Sequence, residues 1–139
     1  MLPASRLIDR ELSWLSFNER VLDLAADPST PLLERIRFMA IFSSNLDEFY
    51  MVRVASVLSN LEDGSPMTAS PDIEPSVLMK AISRQTHELV SRQSKIFKDE
   101  LVPEMKKAGI EIVDWQDLKS EERKFVSKIF SDRIFPVLT

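Results

Sequence analysis

Apolar residues recur at helical spacing in three long segments of the chain. They predict helices over residues 9–26, 31–61 and 76–108. Asp27-Pro28 ends the first segment, because the residue before a proline disfavours the helical backbone. Thr30-Pro31 begins the second segment, with threonine as the N-cap and proline at the first helical position.

Prolines and glycines mark two further features of the pattern. Residues 62–75 combine Gly64 and several prolines with polar residues, which predicts an exposed loop. Pro103 lies inside the third predicted helix and should kink it or restart it, because proline lacks the backbone N–H that the helix needs.

The pattern changes after residue 108. Residues 110–113 are mostly β-branched and alternate briefly, which predicts a short strand, and Ser120 is predicted to cap a further helix. Residues 135–139 have the pattern of another strand, and the sequence offers no sheet partner for it. We therefore expect a helical N-terminal domain over residues 1–108 and the truncated beginning of a second domain over residues 109–139. The predicted fold class is all-α, an antiparallel helical bundle with a short β element and one further helix opening the second domain.

Composition narrows the class of protein. Hydrophobic residues make up 44% and charged residues 29% of the chain, as in soluble globular proteins, and cysteine is absent. No apolar run reaches the roughly 18 residues that span a bilayer, so we expect a cytoplasmic protein without a transmembrane segment. A net charge of −4 repels polyanions and argues against nucleic acid as a partner.

The most informative element is Ser43-Ser44-Asn45, which interrupts a strongly apolar stretch. Steps of three and four residues from Asn45 lead to Phe38, Ile41, Phe42, Phe49 and Val52. If the helix runs straight through, a carboxamide lies in an aromatic stripe, where it could match the donor and acceptor edge of adenine. If the helix breaks there, Asn45 is an N-cap, with Glu48 completing a capping box.

The aromatic residues around this element also allow two interpretations. They could form a platform for a flat ligand, although aromatic residues at helical spacing more often belong to the core. The group consists of Trp14, Phe17, Phe38, Phe42 and Phe49.

Charged residues offer other candidates. Asp47 and Glu48 could bind magnesium or transfer protons, but adjacent helical residues point to different faces, so capping accounts for them better. Arg35, Arg37 and Arg53 could grip phosphate, and surface pairing with acidic neighbours explains them as well.

His87 is the only histidine and could be a base, a ligand or a phosphate acceptor. No cysteine or second histidine completes a metal site with it, so a solvated helix histidine is the better interpretation.

Two motifs make the chain recognisable: ELSWLSFNERVL over residues 11–22 and RFMAIFSSNLDEFY over residues 37–50. In this order they resemble the N-terminal domain of bacterial polyphosphate kinase, the family that uses a phosphohistidine. The resemblance is close over residues 7–61 and looser into the start of the family's head domain at residues 110–139.

The resemblance implies an enzyme that reversibly transfers the terminal phosphate of ATP onto inorganic polyphosphate with magnesium, as a homo-oligomer. The family's ATP-contacting asparagine falls on Asn45. Its phosphorylated histidine and magnesium ligands belong to C-terminal domains, so no catalytic or metal-binding residue is expected in this chain, and His87 does not take that role. The chain by itself should be inactive.

The net charge agrees with an adenine contact in this chain and phosphate contacts in other domains. An acidic segment suits the uncharged adenine end of ATP, while basic groups elsewhere bind the phosphates. The alternative is a non-catalytic helical module for dimerisation or docking, with Asn45 a simple cap.

Overall fold

The computed structural model describes residues 9–63 and 74–138. All regular structure in these ranges is helical, which confirms the predicted all-α class. The α-helices are α1 Arg10–Ala26, α2 Leu32–Phe49, α3 Ala55–Asp63, α4 Pro75–Ile96, α5 Val102–Lys107, α6 Ser120–Ile129 and α7 Phe135–Leu138. Three π-helical turns, Tyr50–Val54, Phe97–Leu101 and Phe130–Ile134, and a 3₁₀ turn, Trp115–Asp117, complete the elements.

The ends of α1 follow local hydrogen-bonding rules. The Asp9 carboxylate accepts from the backbone N–H of Glu11 at 2.8 Å and of Leu12 at 3.0 Å, which caps the helix. Asp27 ends α1 as predicted. At the start of α2 the prediction was wrong, since Pro31 occupies the N-cap and no side chain caps the helix.

Helix α2 passes through Ser43-Ser44-Asn45 without a break and continues through the Tyr50–Val54 π turn into α3. Of the two alternatives left open by the sequence, the continuous helix is correct. Capping by Asn45, with Glu48 as the partner in a capping box, is therefore wrong.

Pro103 does not end the third helix. Helix α4, the Phe97–Leu101 π turn and α5 form one helical run from Pro75 to Lys107. In an α-helix the proline ring would clash with the carbonyl of Asp99, four residues earlier, and Asp99 lies within the wider π turn. The same spacing recurs at Pro136, since Asp132 lies within the third π turn.

The core consists of two clusters, each built from α1, the α2–α3 run and the α4–α5 run. The first contains Leu15, Phe49, Val54, Val57, Leu78 and Ile82. The second contains Leu22, Ala25, Met39, Phe42, Leu89, Ile96 and Leu101. Early residues of α1 and α4 thus pack with late residues of the α2–α3 run, so that run lies antiparallel to the other two helices.

The predicted β element is wrong. Residues 110–114 have no regular structure, and residues 135–138 form α7 instead of a strand. These apolar side chains are exposed, and no other extended segment of the described part lies beside them to complete a sheet. Met105 is the last buried residue described, while the boundary at residue 108 stays a prediction.

The predicted loop over residues 62–75 falls largely on residues 64–73, which lie outside the described residues. Among the helices that the structure describes, none combines the length and the apolar character needed to cross a membrane.

Candidate functional site

Two asparagines connect α1 to α2 in the interior of the bundle. Asn18 is 0% exposed, and its Nδ2 donates to the backbone oxygen of Phe42 at 3.1 Å. The Asn18 Oδ1 accepts from the Nδ2 of Asn45 at 3.0 Å. The carboxamide of Asn45 is therefore held by a tertiary hydrogen bond and does not cap a helix.

Asn45 lines a pocket of about 290 Å³ between α1 and the end of α2. This volume is near the lower end of the range for small-molecule sites. The lining residues are Arg10, Trp14, Phe17, Asn45, Glu48, Phe49, Val52 and Arg53. The pocket thus combines aromatic rings, one carboxamide and three charged groups.

Aromatic rings form one wall of the pocket. Trp14 stacks on Phe49 with ring centroids 4.6 Å apart and an interplanar angle of 11°. Phe17 is 48% exposed, and the guanidinium of Arg20 lies 5.7 Å from its ring centroid. Phe17 therefore offers a ring to which a ligand has access.

The predicted aromatic group divides between core and pocket. Phe42 and Phe49 are buried, and Phe38 packs against the second cluster. Trp14, Phe17 and Phe49 face the pocket, so Phe49 serves both. The core interpretation holds for part of the group only.

Charged side chains are also part of the pocket lining. The guanidinium of Arg53 lies 3.2 Å from one oxygen of the buried Glu11, and Arg10 lies 3.7 Å from the other. Two cations share this one carboxylate, and Glu48 is the acidic residue of the lining. The two arginines are matched by the two carboxylates, so these four groups together carry no net charge.

Sequence reasoning missed Arg10 and Asn18 as parts of this site. Arg10, Trp14 and Phe17 follow one another at helical spacing. The sequence could therefore have predicted that Arg10 lies on the same helix face as the two aromatic residues. Arg53 and Val52 reach the pocket from the Tyr50–Val54 π turn. Turns of this kind occur frequently at functional sites, but nothing in the sequence predicted a π turn at this position.

Arg35, one of the three arginines considered for phosphate, has a structural role. Its side chain is 2% exposed. Its Nε donates to the Ala25 carbonyl at 2.8 Å, and its terminal nitrogens lie 2.9 Å from Glu104 and 2.7 Å from Glu100. Arg35 thus joins α1, α2 and the α4–α5 run.

Arg37 does not line the pocket. It is 72% exposed and lies 3.7 Å from Glu34, the surface pairing that the sequence suggested. Only Arg53 of the three is brought to the pocket.

The remaining candidates do not converge. His87 is exposed on α4, with its Nδ1 2.7 Å from the Ser83 carbonyl of its own helix. Asp47 is exposed outside the pocket, and Glu48 lines it. Within the described ranges, no three acidic or histidine side chains are grouped so that they could hold a metal ion.

Comparisons with known proteins agree with the motifs. A family model described as the polyphosphate kinase N-terminal domain matches residues 7–113. Polyphosphate kinases of Mycobacterium tuberculosis (strain ATCC 25618 / H37Rv) and Streptomyces coelicolor are 49% and 46% identical over 138 residues. These matches cover 99% of this chain but 19% and 18% of those proteins, so the chain spans about a fifth of their length.

A solved structure shares the fold. The crystal structure of polyphosphate kinase from Porphyromonas gingivalis matches 94% of this chain and 18% of its own with a TM-score of 0.78 and 34% identity. The resemblance first seen in the two motifs is therefore confirmed, and the chain belongs to the polyphosphate kinase N-terminal domain family.

Proposed function

We propose that this chain is the N-terminal part of an ATP–polyphosphate phosphotransferase and supplies the adenine-side wall of its ATP site. The observation that carries the proposal is the Asn45 carboxamide, held by Asn18 in the lining of a pocket to which Trp14, Phe17 and Phe49 contribute aromatic rings. A flat, largely apolar base with one hydrogen-bonding edge suits such a pocket.

The arrangement of rings and charges supports the orientation of the nucleotide. The exposed Phe17 ring can stack on the base, and Asn45 can reach its polar edge. Arg10 and Arg53 are the basic residues of the lining, and the ribose and phosphates would leave the pocket on their side. The base would then lie inside and the triphosphate would point outward.

The phosphotransfer itself is assigned to residues outside this chain. We propose that the phosphohistidine and the ligands of magnesium belong to the remaining domains of a longer polypeptide, which binds polyphosphate and assembles as a homo-oligomer. No group of side chains in the described ranges fits a metal site, and His87 lies on α4, outside the pocket lining. The domain contributes binding and orientation, and by itself it should make no polyphosphate.

The test is Asn45→Ala in the full-length protein. Loss of one hydrogen bond to the base should raise the KM for ATP about 10-fold, since about 1.4 kcal/mol corresponds to a factor of ten. The KM for polyphosphate should not change. Ser44→Ala is the matched control, because Ser44 is the exposed neighbour outside the pocket lining. An unchanged KM for ATP in Asn45→Ala would reject the adenine wall.

A second candidate, an interaction module, is favoured by the exposed apolar side chains of the last helices. Phe125, Phe130 and Phe135 are all accessible. In that case Asn45→Ala would leave the KM for ATP unchanged, and substitutions among these phenylalanines would disrupt assembly. Size-exclusion chromatography with light scattering on the full-length variants separates the two functions.

A further inference from the structure

We propose that Asn18 is a positioning residue that makes the pocket select purines with a 6-amino group over those with a 6-oxo group. It does so by fixing which atom of the Asn45 carboxamide faces the pocket. This inference rests on the proposed function of Asn45, and it assigns a role to a residue that a ligand cannot touch.

The orientation of Asn18 follows from its backbone partner. The oxygen of Phe42 is a carbonyl and can only accept a hydrogen bond. The Asn18 atom 3.1 Å away must therefore be the amide nitrogen, Nδ2. Because Asn18 is fully buried on α1, its amide cannot flip without leaving this carbonyl and its own nitrogen badly paired.

The orientation of Asn45 follows in turn. The Asn18 oxygen points at Asn45, and an oxygen acceptor requires a donor, so Asn45 turns its Nδ2 inward at 3.0 Å. The Asn45 Oδ1 lies in the same amide plane and points away from the Nδ2 that is bonded to Asn18. Within the described part of the chain this oxygen has no hydrogen-bond partner, and it is not among the buried unpaired atoms. Because Asn45 lines the pocket, this oxygen is a free acceptor that a ligand can use.

An acceptor distinguishes two classes of purine nucleotide. The 6-amino group of adenine donates a hydrogen bond to it, whereas the 6-oxo group of hypoxanthine presents a second acceptor and leaves both oxygens unpaired. Sites built to pair a polar substrate group reject analogues that cannot pair. If Asn18 did not hold Asn45, the amide could rotate to present its nitrogen instead, and this selectivity would disappear.

The experiment compares ATP with inosine triphosphate as phosphate donors in the full-length protein. The wild type should have a kcat/KM for ATP about 10-fold or more above that for inosine triphosphate. Asn18→Leu removes both hydrogen bonds of the buried amide, so the ratio should fall to within about threefold of unity. If Asn18 had a purely structural role, Asn18→Leu would lower kcat/KM equally for both nucleotides and would keep their ratio.

A second variant separates positioning from stability. Asn18→Asp still presents an oxygen to Asn45, so it should keep the ATP preference even though a buried carboxyl destabilises the fold. Leu22→Ala on the same helix, in the second core cluster, serves as a control for general destabilisation and should also keep the ratio.

The outcomes distinguish the two proposals. Equal use of both nucleotides by the wild type, or a preserved ratio in a folded Asn18→Leu protein, overturns the positioning role. Loss of the ratio in Asn18→Asp overturns it as well. If Asn45→Ala leaves the KM for ATP unchanged, the adenine wall itself fails. If Asn45→Ala raises that KM and abolishes the ratio while Asn18→Leu keeps it, only the role of Asn18 fails.

Discussion

Arg35 and Asn45 lie at opposite ends of the same helix, and both bring polar atoms into the bundle. Each of the three Arg35 nitrogens donates to a partner supplied by the chain: Ala25, Glu100 and Glu104. Asn45 is bonded on its inner side only, through Asn18, and its other side lines a pocket. A buried polar group whose bonds the chain completes stabilises the fold. One that keeps free bonding capacity at a pocket can bind a ligand.

The largest expected effect is a loss of stability when Arg35, near the start of α2, is replaced. Arg35→Ala removes a buried guanidinium that ties three helical runs together, and should lower the free energy of unfolding by about 3 kcal/mol. The full penalty of a stranded buried charge does not apply, because Glu100 and Glu104 are partly accessible to water. Urea denaturation followed by circular dichroism measures the change.

The exposed Arg37 provides the control for this substitution. Arg37→Ala should change stability by no more than about 0.5 kcal/mol. Equal effects of the two substitutions would mean that the Arg35 network does not hold the bundle together.

A smaller effect, on the KM for ATP, is expected from a substitution in the pocket lining. Phe17→Ala removes an exposed ring that can stack on a base, so the KM for ATP in the full-length protein should rise about fivefold, or about 1 kcal/mol. Leu33→Ala, at an apolar residue that is 63% exposed and outside the pocket lining, is the matched control. If both substitutions raise the KM equally, the ring of Phe17 is not part of the ATP site.

The smallest expected effect is a change in the pKa of Asp27 when the nearby Arg35 is replaced. The backbone N–H of Ser29 donates to the Asp27 carboxylate at 2.8 Å and, with the Ser29 side chain, lowers the pKa of Asp27; the Arg35 charge contributes least. Because the folded pKa is the lower one, this stabilisation is present above the ordinary carboxyl pKa and is lost as pH falls through the folded value.

Carboxyl NMR titration of Asp27 checks this assignment. In Arg35→Ala the Asp27 pKa should rise slightly and remain below its ordinary value. A return to the ordinary value would make Arg35, and not Ser29, the main cause.

Local patterns in the sequence predicted the helices well. The apolar stripes of α1, α2 and α4 and the stop at Asp27-Pro28 depend on neighbours within one or two turns. The strand predicted over residues 110–113 was wrong because a strand does not depend on near neighbours alone. β-Branched residues favour a strand only where a partner strand pairs with it.

Tertiary partners explain what the sequence could not resolve. Ser43 and Asn45 looked like a helix interruption, yet Ser43 accepts from Gln93 at 2.6 Å and Asn45 donates to Asn18. These contacts span 50 and 27 residues, so no local pattern could reveal that the polar side chains are satisfied inside a continuous helix. Asn45 itself was found as a candidate because its polar group stood among aromatic residues.

The most direct test of the adenine wall is photolabelling of the full-length protein with 8-azido-ATP, followed by peptide mapping. We predict that the label that excess ATP prevents lies within residues 10–53, on the peptides that carry Trp14, Phe17 or Asn45. Asn45→Ala should weaken this labelling, and Ser44→Ala should not. ATP-protected label found only outside residues 10–53 would contradict the account.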